Sequence, residues 1–215
     1  MKPQEVASYL QDHPEFFENY ADMLAQIVLP HPHGGRAISI SERQIVTLRD
    51  KTRQLEGKLR EVLEYGEEND AISEKVHRIS VALLAASGIR GVLDSLYLNL
   101  REDFEVPHLA LRVWRANGHA GLAEFGAVSD ATREFALSLV QPYCIGHAMV
   151  DTGALFGEAG GRLRSFSYVP LRDTETFGLL VLASEDPQRF YPEMGTLYLK
   201  RLGELVAAAI ARHLK

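Results

Sequence analysis

The sequence predicts an α+β chain in which an antiparallel sheet flanked by helices follows short N-terminal helices and one long coiled-coil helix. Three patterns carry this expectation. Apolar residues recur at heptad spacing across 39–86, short alternating apolar runs take over after Gly88, and a Pro- and Gly-rich breaker at Pro30 to Gly35 precedes both. The chain divides accordingly into an N-terminal helical segment (1–38), a dimerisation helix (39–86) and a sheet domain (87–215).

In the first segment Val6, Tyr9 and Leu10 have helical spacing, and Asp12-His13-Pro14 restarts the pattern with a polar residue ahead of Pro. A second helix is expected from about Glu15 to Val28, burying Phe16, Phe17, Tyr20, Leu24 and Ile27, and stopping at Pro30-His31-Pro32-His33-Gly34-Gly35. Ser39 with Glu42 three residues on has the form of a capping box and starts the long helix.

Along that helix Leu48, Thr52, Leu55, Leu59 and Val62 keep 4,3 spacing, and Tyr65, Asn69, Ile72, Val76, Ile79 and Leu83 continue it after a slip of phase near Val62 to Tyr65. One apolar seam on so long a helix needs a partner, and a second copy of the chain is the expected one. Gly57 and Gly66 weaken the helix by about 1 kcal/mol each relative to Ala. Basic residues (Arg43, Arg49, Lys51, Arg53, Lys58, Arg60) precede acidic ones (Glu61, Glu64, Glu67, Glu68, Asp70, Glu74), which leaves parallel and antiparallel pairing both open.

After Gly88 a helix from about Ile89 to Phe104 carries Val92, Leu93, Leu96 and Leu100 on one face. His108 to Ala116 and Ala120 to Ala127 read as a hairpin about Asn117-Gly118. Ser129 caps a helix to about Val140, the stretch Pro142 to Gly161 has little periodicity, Ser165 to Leu171 and Phe177 to Ser184 are strands, and a helix near Pro192 to Leu214 closes the chain. On that last helix Leu199, Leu202, Val206, Ala209 and His213 approach heptad spacing, so Leu202 and Val206 join Leu48, Leu55, Leu59, Val62, Ile72, Val76, Ile79 and Leu83 as expected dimer-interface residues.

Bulk properties narrow the function. The chain has 215 residues, 46% of them hydrophobic, a formal charge of −6 and a pI near 5.8. That balance gives no global reason for direct nucleic-acid contact, and the basic stretch Arg43 to Arg60 lacks interleaved aromatic rings for stacking bases. A single cysteine, Cys144, allows no intrachain disulfide and no Cys-based zinc site, and no apolar run reaches membrane-spanning length. A cytoplasmic location is expected.

The segments Ser165-Phe-Ser-Tyr-Val-Pro-Leu-Arg172, Phe177-Gly-Leu-Leu-Val-Leu-Ala-Ser184 and Phe190-Tyr-Pro-Glu-Met194 resemble the last two strands and closing helix of GAF domains. Tyr9-Leu-Gln-Asp-His-Pro-Glu-Phe-Phe17, Leu29-Pro-His-Pro-His-Gly-Gly35, Ser41-Glu-Arg-Gln44 and Leu48-Arg49 resemble hallmarks of the bacterial domain-of-unknown-function family 484, over essentially the whole chain. The resemblance implies a GAF-like fold after a helical N-terminal part, in a family whose members are often encoded beside a tyrosine-type recombinase. The Asn-Lys-Phe-Asp-Glu signature of cyclic-nucleotide-binding GAF domains is missing, and Cys144 is followed by Ile145-Gly146-His147 rather than the directly adjacent His of bilin-binding ones.

No catalytic motif stands out. Cys144 with His147 has the outline of a thiol and base, and His31, His33 and His13 of a metal site, but neither completes a recognised pattern; no metal site is expected and the cofactor is left unknown. The candidate ligand pocket lies between the sheet and Pro142 to Gly161, with Arg112, Trp114, Phe125, Tyr143, Cys144, His147, Phe156 and Tyr168 as its expected residues. Strand alternation sets Arg112 and Trp114 opposite Leu111 and Val113. The expected function is a non-enzymatic, homodimeric sensory or regulatory module for a small molecule or a protein. The competing expectation is a scaffold with a vestigial pocket, holding a DNA-processing or envelope-associated partner and linked to site-specific recombination.

Overall fold

The computed structural model describes residues 2–29, 38–115 and 121–214 and divides into two compact units, Met1–Glu67 and Glu68–Lys215. The Pro30 to Gly35 breaker, with His31 and His33, and the Asn117-Gly118 turn lie outside the described residues.

In the first unit, α1 spans Pro3–Asp12, α2 Glu15–Asn19 and α3 Ala21–Gln26. The single helix expected from Glu15 is thus two, divided at Tyr20, where Asn19, a weak helix former, ends α2 and the Tyr20 ring stacks on Phe16 with centroids 4.7 Å apart. Phe17, Tyr20 and Ile27, expected to be buried, are exposed. Strands β1 (Val28–Leu29) and β2 (Ile38–Ser39) form a two-residue antiparallel pair, and α4 then runs without a break through Ile40–Ala85.

The last turns of α4 belong to the second unit. There follow α5 (Gly88–Glu102), β3 (His108–Val113), a 3₁₀ turn (Ala123–Phe125), α6 (Asp130–Ser138), β4 (Tyr143–Ile145), α7 (Thr152–Phe156), a second 3₁₀ turn (Gly157–Arg162), β5 (Ser165–Arg172), β6 (Thr176–Ser184) and α8 (Leu197–Ala211). Ser129 caps α6 as expected, its hydroxyl accepting from the Thr132 amide at 3.3 Å. The hairpin partner expected at Ala120 to Ala127 is not a strand where described: 123–125 form the 3₁₀ turn. Beside β3 the sheet already has β6, which takes its whole length in register from His108↔Ala183 to Val113↔Gly178. The segment expected to be irregular contributes β4, too short for a period-2 pattern to register.

The sheet order is β3-β6-β5-β4, every pair antiparallel. Central β6 is buried along all nine residues, as a strand covered on both faces must be. One face carries Leu111, Val113, Val169, Leu171, Leu180 and Leu182 against α5, α8 and the end of α4; the other carries Phe166, Tyr168, Leu179 and Val181 against α6, α7 and their loops.

Candidate functional site

Alternation along β5 aims Phe166 and Tyr168 at the α6 and α7 side, where the ligand pocket was expected. The space is occupied by the chain itself. Tyr168 is fully buried; its ring meets Phe135 edge-on at 5.0 Å and lies nearly parallel to Phe166 at 6.1 Å. Its hydroxyl accepts from the Met149 amide at 2.9 Å, tying down the loop above, and burial raises its pKa. Trp114 and Phe156 pack on the same cluster, Trp114 donating through Nε1 to the Thr176 carbonyl at 3.2 Å. Arg112 donates to the Leu111 carbonyl at 2.9 Å and to the Ala154 carbonyl at 3.1 Å, which fastens α7 over β3. Asp151 caps α7 by accepting from the amides of Gly153 and Ala154 at 2.9 and 3.2 Å.

The eight expected pocket residues therefore do not converge. Arg112, Trp114, Phe156 and Tyr168 share one face, and Tyr143, opposite Tyr168 in the β4–β5 ladder, stands 41% exposed at the sheet edge. Cys144, one residue on, points to the other face and joins the α5 and α8 core, which Phe125 also touches. His147 is exposed. Cys144 and His147 thus sit in opposite environments, and burial pushes the Cys144 thiol up, against a weaker lowering by the Ser167 hydroxyl. That is the reverse of what a nucleophilic thiolate needs.

The α8 side holds a small cavity of about 130 Å³ between β5 and α8, lined by Pro142, Val169, Pro170, Arg172, Gly203 and Glu204 among others. It is smaller than the roughly 300–1,000 Å³ typical of small-molecule sites. Arg172 on its wall is engaged: Nε donates to Thr176 Oγ1 at 2.7 Å, and the terminal nitrogens reach the carbonyls of Leu137, Leu139 and Val140 that end α6. Sequence reading passed over this place. Gly203, a glycine inside a helix, was the available signal for a close approach there.

The expected dimer seam also separates into two parts. Leu48, Leu55, Leu59 and Val62 are between 60% and 67% exposed, and Ile45, three residues before Leu48 and in phase with them, extends the row. A groove of about 370 Å³ runs along Ile45, Leu48, Thr52 and Glu56. Ile79, Leu83, Leu202 and Val206, by contrast, are buried in the second unit's own core, and Ile72 and Val76 are half-buried. These last turns of α4 use their apolar face to cover the sheet domain, so Ile79, Leu83, Leu202 and Val206 are not available to a second chain.

The model of the family described as "Protein of unknown function, DUF484" matches residues 1–215. The chain belongs to the DUF484 family. This DUF484 chain is 22% identical over 217 residues to an uncharacterized protein, YigA, of Salmonella typhimurium, covering 98% of the chain and 91% of that protein. Among solved structures it is similar to the GAF domain of a phosphoenolpyruvate-protein phosphotransferase from Coxiella burnetii (17% identity, TM-score 0.46, 66% of this chain and 93% of that one). It is similar also to the corresponding GAF domain from Acinetobacter (16%, TM-score 0.43, 66% and 93%) and to residues 122 to 287 of a methyl-accepting chemotaxis protein (15%, TM-score 0.45, 65% and 98%). Among the described residues of the DUF484 chain, no three His, Cys, Asp or Glu side chains are grouped to share a metal ion, and no helix is long and apolar enough to cross a membrane.

Proposed function

We propose that this chain is a non-enzymatic GAF-like regulatory module that works as a homodimer, paired through α4 between Ile45 and Val62. The observation that carries the reading is the exposure of that row: five large aliphatic side chains on one helix stripe, in strict heptad phase, with nothing of their own chain over them among the described residues. Burying a leucine is worth about 1.5–3 kcal/mol, so a second copy covering the stripe recovers enough to offset the cost of association. The same unbroken helix supplies Ile79 and Leu83 to the sheet-domain core. Coupling between that core and the seam is what a regulatory module requires.

Light scattering on the intact chain tests this reading. The native protein is expected at twice the 24.0 kDa chain mass, and Leu55→Glu with Leu59→Glu at the single-chain mass with unchanged far-ultraviolet dichroism. A native protein of single-chain mass at every concentration overturns it.

A second reading, a scaffold whose pocket is vestigial, is favoured by one observation: the aromatic layer of Phe135, Phe166 and Tyr168 fills the face where a ligand was expected. A small molecule retained in stoichiometric amount by protein purified from its own cells counts against the scaffold, and bare dimers count for it.

A further inference from the structure

We infer that α4 pairs with its copy in parallel and in register, with Lys51 of each chain meeting Glu56 of the other. The inference rests on the dimer reading above and adds the polarity that charge blocks alone leave open.

Heptad phase places Ile45, Thr52 and Leu59 at the first core position and Leu48, Leu55 and Val62 at the second. In parallel register every core layer sets a residue against its own copy, so five of the six layers between Ile45 and Val62 are wholly aliphatic. The flanking positions on one side are Gln44, Lys51 and Lys58, and on the other Arg49, Glu56 and Leu63. Parallel helices bring each of the first set to the residue five places on in the partner. The pairs are then Gln44 with Arg49, Lys51 with Glu56 and Lys58 with Leu63. None is like-charged, and the Lys58 stem lies over an exposed leucine that widens the apolar seam.

Antiparallel pairing fails in each of its two natural registers. Laying the basic block 43–60 over the acidic block 61–74 sets Leu55 against Gly66 and Leu48 against Ser73, and the Ser73 hydroxyl already lies 3.0 Å from that of Tyr198 in its own chain. Exposed ion pairs are worth less than the buried leucines this register gives up. The other register keeps the apolar layers, Ile45 with Val62, Leu48 with Leu59 and Thr52 with Leu55. It brings Lys51 beside Lys58 of the copy twice, which offsets its two Arg49 to Glu56 attractions. Parallel pairing alone combines intact layers with unopposed charge complementarity.

Two measurements on the full chain decide it, each with the oligomer mass recorded alongside. Ile45→Cys and Leu59→Cys, made separately and oxidised with copper phenanthroline, are both expected to cross-link to themselves. The sites are about 21 Å apart along the helix, so neither antiparallel register allows both. The native chain, whose Cys144 is buried, is the blank. Lys51→Glu is expected to weaken the dimer about fivefold in Kd, and Lys51→Glu with Glu56→Lys to return it to within about twofold. Dimers in which Lys51→Glu tightens association, or in which Leu48→Cys cross-links only with Leu59→Cys, overturn the polarity while leaving the dimer reading standing. A native chain that is monomeric throughout overturns the dimer reading itself.

Discussion

The hydroxyl of Tyr198 lies 3.0 Å from Oγ of Ser73 and donates to the Asn69 carbonyl at 3.1 Å, pinning the start of α8 to α4. At the other end of α8, Arg212 donates to the Leu83 carbonyl at 3.1 Å. The two helices therefore run in the same sense and are tied at both ends, with Ile79, Leu83, Leu202 and Val206 buried in the core they share.

Tyr198→Phe removes both hydroxyl contacts and leaves the ring, over which the Arg201 guanidinium sits 5.5 Å from the centroid. The expected loss is about 0.5–1.5 kcal/mol by urea denaturation, as for hydrogen bonds of this kind. Amide exchange should quicken around Asn69 to Val76 and stay unchanged in β6. Uniform quickening across the second unit would show that the contact is not local.

Gly203→Ala tests the closeness of α8 to the sheet. A Cβ at Gly203 falls 2.5 Å from Cγ1 of Val169, inside any tolerable contact, and Val169 is held in the core. A loss of about 1–3 kcal/mol in unfolding free energy is expected from overpacking, partly recovered in Gly203→Ala with Val169→Ala. A neutral single substitution would contradict this packing.

Arg172→Ala removes the donors that cap the end of α6 and hold Thr176. Because the residue is exposed, the expected cost is modest, about 1–2 kcal/mol. Arg172→Lys should rescue only part of it, since a single ammonium cannot reach the carbonyls and the threonine together. Thermal unfolding of the three proteins gives the order.

Alkaline pH should destabilise the fold. Burial and then the hydrogen bond to Glu124 Oε1 at 2.8 Å raise the pKa of Tyr97, and burial raises those of Tyr168 and Cys144. The folded state holds these protons more tightly than the unfolded chain. Their contribution is therefore complete below the ordinary values of 9.0 for the thiol and 10.0 for the phenols, and is lost as pH rises through the raised ones. The urea midpoint should fall steadily above about pH 9. Tyr97→Phe should flatten part of that fall, and a native midpoint constant to pH 10.5 would contradict the assignment.

Most elements were legible because their signals are local. The start of α4 directly after Ser39, the aliphatic stripe of α5 and the two apolar runs of β5 and β6 each report their own structure, and each lies where the sequence placed it. What escaped depended on distant pairing. β3 takes β6 as its neighbour across 65 or more residues, and β4 exists only because Tyr143 to Ile145 line up with Phe166 to Tyr168. The expected pocket residues separate for a related reason. Residues from several segments were expected to line one pocket, yet alternation sends Tyr143 and Cys144 to opposite faces, and Phe135 in α6 fills the space beside Tyr168. On α4 the heptad count marked a stripe but could not say which turns the sheet domain would claim for itself.

The most direct test of the central claim is native mass spectrometry of the intact chain purified gently from its own cells. A spectrum dominated by twice the 24.0 kDa chain mass, collapsing to the single mass when Leu55 and Leu59 are both changed to Glu, is the predicted result. A native chain that flies as a monomer across the concentration range would contradict it, and would show that the exposed row from Ile45 to Val62 does not recruit a second copy.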